Sequence, residues 1–347
     1  MNEKAHEGVA LQREAPGDLS IAALSDALQR NYGIAVADLK YLALGADSRA
    51  WVYDVQAQDG CRYFLKARMT LDNPSSLVVP HYLHARGVLQ VAAPIDTSAK
   101  ELYARLDDYF LILYPFLDGI TGKVRGMNES QWSVYGETLR QIHSSAAACE
   151  LAHLLGSETY VPAGVAAIRR LQAQLAEAQD LEATANKLLD FWNQQQDSIN
   201  LVCERAEELG RRLAAMAPPA VLCHADIHTN NVMVDRKGKI WIVDWDETVL
   251  APKERDLMFI LDGGISRRLV SRENEQWFMQ GYGEATIDRL AIAYYKYAWA
   301  VSDIGEFGLQ VFGRPDLGPV ARSSAVNSFK ILFQPGNIVS LALEQQI

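Results

Sequence analysis

The chain has 347 residues and carries 43 acidic against 33 basic side chains, a formal net charge of -10. That balance excludes a binder of nucleic-acid backbone, which needs a surplus of Lys and Arg to neutralise phosphates, and it suits a cationic small-molecule partner. Hydrophobic residues at 49% and charged residues at 22% exclude a disordered chain, and the length accommodates two domains or one bilobal unit.

Residues 1–18 are polar and charged, which predicts a flexible tail and no signal peptide. A helix follows, with Leu19, Ala22, Ala23, Asp26 and Arg30 divided between an apolar and a polar face and Tyr32-Gly33 closing it. The period then becomes extended. Runs at 41–44, 50–55 and 63–66 are rich in aromatic and β-branched residues, and Asp59-Gly60 turns the chain between the last two. A helix is expected at about 75–86, weaker strands at 92–96 and 102–106, and a buried strand at 109–114.

Beyond Pro115 and Asp118-Gly119 the texture is helical. Trp132, Tyr135, Leu139, Ile142 and His143 mark one amphipathic helix. Two longer ones run through Ile168, Leu171 and Leu175, and through Leu188, Trp192, Ile199, Val202, Leu209 and Leu213, before Pro218-Pro219. Short strands are expected around 221–224 and 240–244, with Lys237-Gly238 turning before the second, and residues 256–347 read as aromatic-rich helices. The expected fold is α+β and bilobal: a small antiparallel β lobe with one inserted helix at 19–113, a crossing at 114–119 and a larger α-rich lobe at 120–347. The most apolar stretch, 109–117, is far short of the ~20 residues that cross a bilayer. Four cysteines (Cys61, Cys149, Cys203 and Cys223) form no C-x-x-C pair, so free thiols in the cytoplasm and no membrane partner are expected.

The densest polar cluster is His224-x-Asp226-x4-Asn231, followed by a strand that ends in Asp244. Kinase-like phosphoryl transfer needs this spacing. A carboxylate on a rigid loop, Asp226, accepts the proton of an attacking hydroxyl and aims it at phosphorus. Mg²⁺ takes hard oxygen ligands, and the amide oxygen of Asn231 with the carboxylate of Asp244 leaves room for phosphate oxygens. Lys66, on the third expected strand, would reach the phosphates of ATP; the turn at 44–50, with only one glycine, would cover them, and its Ser48 would bond a β-phosphate oxygen. His224, Asp226 and His228 also alternate like zinc ligands, with Asp244 as a bridging carboxylate, so a metallohydrolase is the competing chemistry. A hydrolase has no use for the β lobe and its lysine. For a cationic hydroxylated substrate the candidate partners are Asp246 and Glu247 beside the metal loop, and Asp303 with Glu306 on one helical face. Residues 224–347 hold 16 acidic and 13 basic side chains, a net of only -3, so such recognition rests on placed carboxylates and not on bulk charge.

These motifs, with the run Ile242-Val243-Asp244-Trp245-Asp246-Glu247 and the segment 251–260, resemble the aminoglycoside phosphotransferase family, a branch of the protein-kinase-like fold. The resemblance covers residues 21–344. It implies Asp226 as catalytic base, Asn231 and Asp244 as magnesium ligands, Lys66 as the phosphate contact, and His224 with Asp256 as supports of the catalytic loop. It also implies adenine held by the Pro115 carbonyl and the Leu117 N–H, ATP and Mg²⁺ as cofactors, and an acceptor hydroxyl on an aminoglycoside or aminocyclitol antibiotic, spectinomycin foremost, with resistance as the outcome. Kinases of choline, methylthioribose and macrolides share the motif set, so those acceptors stay open. Two departures stand out. No glutamate occurs between Ala67 and Lys100 to pair with Lys66, which leaves Asp72 or the phosphates alone to orient it and makes a nucleotide-binding pseudokinase a further alternative. Trp245-Asp246 stands where protein kinases carry Phe-Gly, which favours an always-assembled loop over a switch.

Overall fold

Alternation of side chains decides the first sheet. In strand β3 (Arg62–Arg68), Leu65 and Ala67 are fully buried while Lys66 and Arg68 between and beyond them point to the other face. The computed structural model describes residues 15–43, 49–177, 181–314 and 317–345. It divides into two compact units. The first comprises the described part of 7–156 with 226–248, and the second comprises 157–225 with the described part of 249–347.

In the first unit β1 (Val36–Leu42), β2 (Ala50–Ala57), β3, β4 (Ala104–Leu106) and β5 (Tyr109–Pro115) form an antiparallel sheet in the order β1-β2-β3-β5-β4. Lys66 lies in its centre, opposite Val52 on β2 and Ile112 on β5. Helix α1 (Ile21–Tyr32) starts at Ser20, whose side chain accepts from Ala23 N–H, and ends at Gly33 in the left-handed region (φ 69). Its Leu24, Ala27 and Leu28 share a core with Leu39, Tyr53, Val55, Leu65, Leu111 and Leu113. Helix α2 (Ser75–Ala85) follows β3 as expected. Further along, the Glu129–His143 helix opens on a reciprocal cap between Asn128 and Gln131 and buries Trp132, Tyr135, Leu139 and Ile142. A three-stranded sheet is ordered Ile240–Ile242, Val232–Asp235, Gly119–Thr121. Gly119 is required there, because a Cβ would stand 2.7 Å from the Val234 carbonyl oxygen.

In the second unit the Arg289–Phe312 helix is the hub, packed by the helices Ala163–Ala176, Gln196–Met216, Pro319–Leu332 and Ile338–Leu343. Gly164 permits one close crossing: a Cβ on it would lie 2.4 Å from Val301 O. Tyr294, Tyr295 and Tyr297 are core residues, and Trp299 packs edge-on to Phe259 with ring centroids 4.9 Å apart.

Four expectations need correction. The first strand begins at Val36, ahead of the expected 41–44. Residues 92–96 form no strand, since Pro94 lacks a donor and the segment is tied only by single bonds, Ala92 N–H to Ile242 O and Ile95 N–H to Leu113 O. Strand Val232–Asp235 escaped notice because its four residues follow directly on the polar cluster. The expected helix pair is three helices, Ala163–Ala176, Ala183–Gln194 and Gln196–Met216, with Gln195 (φ -102, ψ 7) breaking the last two apart. All four cysteines are free, Cys203 and Cys223 being buried. Among the described residues no helix is long and apolar enough to cross a membrane.

Candidate active site

The polar cluster begins in the second unit, where Asp256 is fully buried at the head of a helical turn, Glu254–Leu257. An ionised carboxylate in that position is stable only if its oxygens are bonded. Its Oδ2 accepts the backbone N–H of His224 at 2.9 Å, and its Oδ1 accepts that of Ala225 at 2.7 Å. Ala225 takes a left-handed conformation (φ 69), which costs an alanine roughly 1–2 kcal/mol. The two charge-assisted bonds hold that strained residue immediately before Asp226. His224 contributes its backbone N–H to the same carboxylate, and its side chain is buried.

In the first unit, Asn231 turns back on Asp226. Its side-chain amide donates to the Asp226 carbonyl oxygen at 2.8 Å and to Oδ2 at 2.9 Å. Asn231 N–H also bonds His228 O at 2.8 Å, closing a tight turn, and Tyr135 O–H donates to Ile227 O from the Glu129–His143 helix. One carboxylate oxygen of Asp226 is therefore fixed by Asn231, and Oδ1 faces His228 Nε2 at 3.3 Å. The next strand returns beside this turn through the bond from Val243 N–H to Asn231 O, 3.0 Å, so Asp244 follows directly on the residue bonded to Asn231. Asp244 is exposed and left-handed (φ 66), a conformation aspartate adopts more readily than most residues. Because the Asn231 nitrogen is spent on Asp226, its amide oxygen is the end left to face a cation. An amide oxygen and a carboxylate are hard donors that fit Mg²⁺.

Lys66 and Arg68 project from one face of β3, and Asp246 meets both. Lys66 Nζ lies 3.5 Å from Oδ2, and Arg68 Nη1 lies 3.1 Å from Oδ1. Burial raises the Asp246 pKa, but Lys66 and Arg68 outweigh it and hold the carboxyl below its ordinary value. The Asp246 carbonyl oxygen accepts from Asn73 Nδ2 at 2.8 Å. Asp72, the expected substitute for the missing glutamate, is instead exposed and bound to Arg49 at 3.0 Å and Thr70 Oγ1 at 3.0 Å. The sequence reading missed Arg68 altogether, although its spacing of two from Lys66 is a strand signal for a shared face.

Ser48 falls outside the described residues. Pro115 ends β5, exposed, and Phe116 N–H bonds Arg62 O while the Arg62 guanidinium covers the Phe116 ring at 3.6 Å. Leu117 O accepts from Gly119 N–H at 3.0 Å, so residues 117–119 form a tight turn within the first unit. Glu247 is exposed beside Asp246. Asp303 is half-buried and Glu306 is exposed and bonded to Gln310 at 2.9 Å, both on the Arg289–Phe312 helix of the other unit. Trp245 is buried where the flexible Phe-Gly of protein kinases would stand, with Thr248 Oγ1 bonded to its carbonyl.

A carboxylate braced by an amide, a second carboxylate one residue beyond the strand bond to that amide's backbone, and a lysine on a neighbouring sheet are the groups a kinase-like phosphotransferase uses. Residues 38–295 match the phosphotransferase enzyme family, and the chain belongs to that family of small-molecule kinases. Among solved structures it is similar to a spectinomycin phosphotransferase in complex with ADP and spectinomycin, at 30% identity and a TM-score of 0.84, over 94% of this chain and 98% of that one. The AMP-bound complex of spectinomycin phosphotransferase gives 29% identity and a TM-score of 0.81, over 94% and 99%. An aminoglycoside phosphotransferase from Alicyclobacillus acidocaldarius shares the fold at 14% identity and a TM-score of 0.60, over 96% and 97%. Family membership overturns the metallohydrolase alternative.

Proposed function

We propose that this protein transfers the γ-phosphoryl group of ATP to a hydroxyl of spectinomycin and so confers resistance to that antibiotic in the cytoplasm. The observation that carries the reading is the braced Asp226–Asn231 pair in a chain similar along nearly its whole length to a spectinomycin phosphotransferase.

In this reading the Asp226 carboxylate accepts the proton of the acceptor hydroxyl while Asn231 fixes its orientation through Oδ2. The acceptor oxygen forms its bond to the γ-phosphorus as the bond to the β–γ bridging oxygen breaks, and ADP leaves with that electron pair. The transition state is loose, so positioning matters more than the strength of the base. Lys66 binds phosphate oxygens, Ser48 covers them, and the Pro115 carbonyl and Leu117 N–H hold adenine. Asn231 and Asp244 would hold Mg²⁺, which would supply neutralisation of phosphate charge. The acceptor is a cationic hydroxylated ring, for which Glu247, Asp303 and Glu306 are the candidate carboxylates. Residues 19–113 serve as the nucleotide lobe and 120–347 as the catalytic and substrate lobe, joined at 114–119. ADP release measured over a panel of spectinomycin, aminoglycosides, macrolides, choline and methylthioribose tests this. Turnover with spectinomycin alone supports it, and turnover only with another acceptor overturns the substrate assignment.

A further inference from the structure

Protein kinases commonly orient the phosphate-binding lysine with a helix carboxylate, and this chain has no glutamate anywhere between Ala67 and Lys100. Asp246 stands in contact with the lysine instead, on the segment that follows the Ile240–Ile242 strand, two residues beyond Asp244. Its two oxygens are divided between two cations of β3, Lys66 at 3.5 Å and Arg68 at 3.1 Å. Two like charges on one strand face repel, and a shared carboxylate offsets that repulsion while fixing the direction of both side chains. The arrangement is half-buried, with side-chain exposures of 24% for Lys66, 13% for Arg68 and 36% for Asp246, so solvent screens it less than a surface pair. Asp246 is itself tied down. Its carbonyl oxygen accepts from Asn73 Nδ2 at 2.8 Å, and the Asn73 side-chain oxygen accepts from Ser75 Oγ at 2.6 Å and Ser75 N–H at 3.2 Å at the start of α2. Helix α2 thus reaches the lysine through Asn73 and Asp246, without a carboxylate of its own.

We infer that Asp246 is the positioning residue for Lys66 in place of a helix glutamate, and that Arg68 is a second phosphate-binding cation held by the same carboxylate. The inference rests on the phosphotransferase reading and moves Asp246 from substrate recognition to nucleotide positioning. A guanidinium beside an ammonium supplies a flat donor fork for one phosphate and a point charge for the next, which suits the polyphosphate chain of a nucleotide.

The test combines calorimetric binding of ADP and of adenosine with steady-state turnover, on the full chain and the variants Asp246→Asn, Asp246→Glu and Arg68→Met. Asp246→Asn removes a negative charge from the phosphate face. ADP affinity should therefore hold or rise, while kcat falls tenfold or more because the cations lose their orientation. Asp246→Glu, which keeps the charge, should recover part of that loss. Arg68→Met should weaken ADP binding about tenfold and leave adenosine binding unchanged. A raised KM for the acceptor with kcat intact in Asp246→Asn would make Asp246 a substrate contact and overturn the inference. So would equal losses of ADP and adenosine binding in either variant, the mark of a structural role. If the unaltered protein turned over no acceptor, the substrate reading would fail, while the ADP and adenosine arms would still decide the role of Arg68.

Discussion

Replacing Asp256 probes the loop that carries Asp226, the proposed catalytic base, without touching it. The Asp256 carboxylate is fully buried and accepts two backbone N–H groups, from His224 at 2.9 Å and Ala225 at 2.7 Å. In Asp256→Ala both donors lose their acceptor in a site closed to water, and each such loss costs about 1–3 kcal/mol, so the change destabilises by roughly 2–6 kcal/mol. The desolvation of the carboxylate is recovered, which favours the lower half of that range. Ala225 (φ 69) is then free to leave its left-handed conformation, which relieves strain and misaims Asp226. Asp256→Asn separates geometry from charge: the single amide oxygen serves one N–H, and the new amide donor is turned against the other. The assay is urea unfolding together with hydrogen exchange on a peptide spanning 221–226. Both variants should lower the urea midpoint, and exchange at the His224 and Ala225 amides should accelerate more than in the Arg289–Phe312 helix. An unfolding change under about 1 kcal/mol in Asp256→Ala, with unchanged exchange at those amides, would refute the anchoring role.

The remaining predictions concern chemistry, charge and packing. Asp226→Ala should lower kcat at least a hundredfold, about 3 kcal/mol in barrier, with ADP affinity nearly unchanged in calorimetry; retained turnover would remove Asp226 from the mechanism. Lys296 is fully buried, donates to the carbonyls of Leu261, Asp262 and Gly264, and has its pKa pushed down to about 8 by burial. An unfolded lysine titrates near 10.4, so between the two values the unfolded chain holds a proton that the folded one has released. Folding stability should rise with pH across that window relative to Lys296→Met, and a flat difference from pH 8 to 10 would contradict the shift. Gly164→Ala places a Cβ at 2.4 Å from Val301 O and should destabilise by about 1–3 kcal/mol in urea unfolding; an unchanged midpoint would show that the two helices separate freely.

The Asp226–Asn231 contact was legible because it is local in sequence. Asp226 and Asn231 lie five residues apart on one turn, and their hydrogen bonds follow from that spacing. The central strand was legible for the same reason, since the run 63–66 follows directly on the Asp59-Gly60 turn. The partner of Lys66 was not legible, because Asp246 lies 180 positions away by residue number and joins β3 only through the tertiary fold. A search confined to the residues that follow β3, 69–95, could find only Asp72, whose carboxylate is turned to Arg49. Short elements failed differently. Val232–Asp235 reads as loop from its neighbours, yet it is the middle strand of its sheet, between Ile240–Ile242 and Gly119–Thr121. Residues 92–96 read as strand from composition, yet Pro94 leaves them only isolated bonds.

The proposed reaction is transfer of phosphate from ATP to a spectinomycin hydroxyl. Phosphorus-31 NMR on the purified protein with ATP, Mg²⁺ and spectinomycin tests it most directly, with Asp226→Ala as the control. The account predicts a new phosphomonoester resonance coupled through the bond to a spectinomycin ring proton, growing in step with ADP and missing in the control. ATP left intact in the presence of spectinomycin, or cleavage that yields only inorganic phosphate, would contradict it.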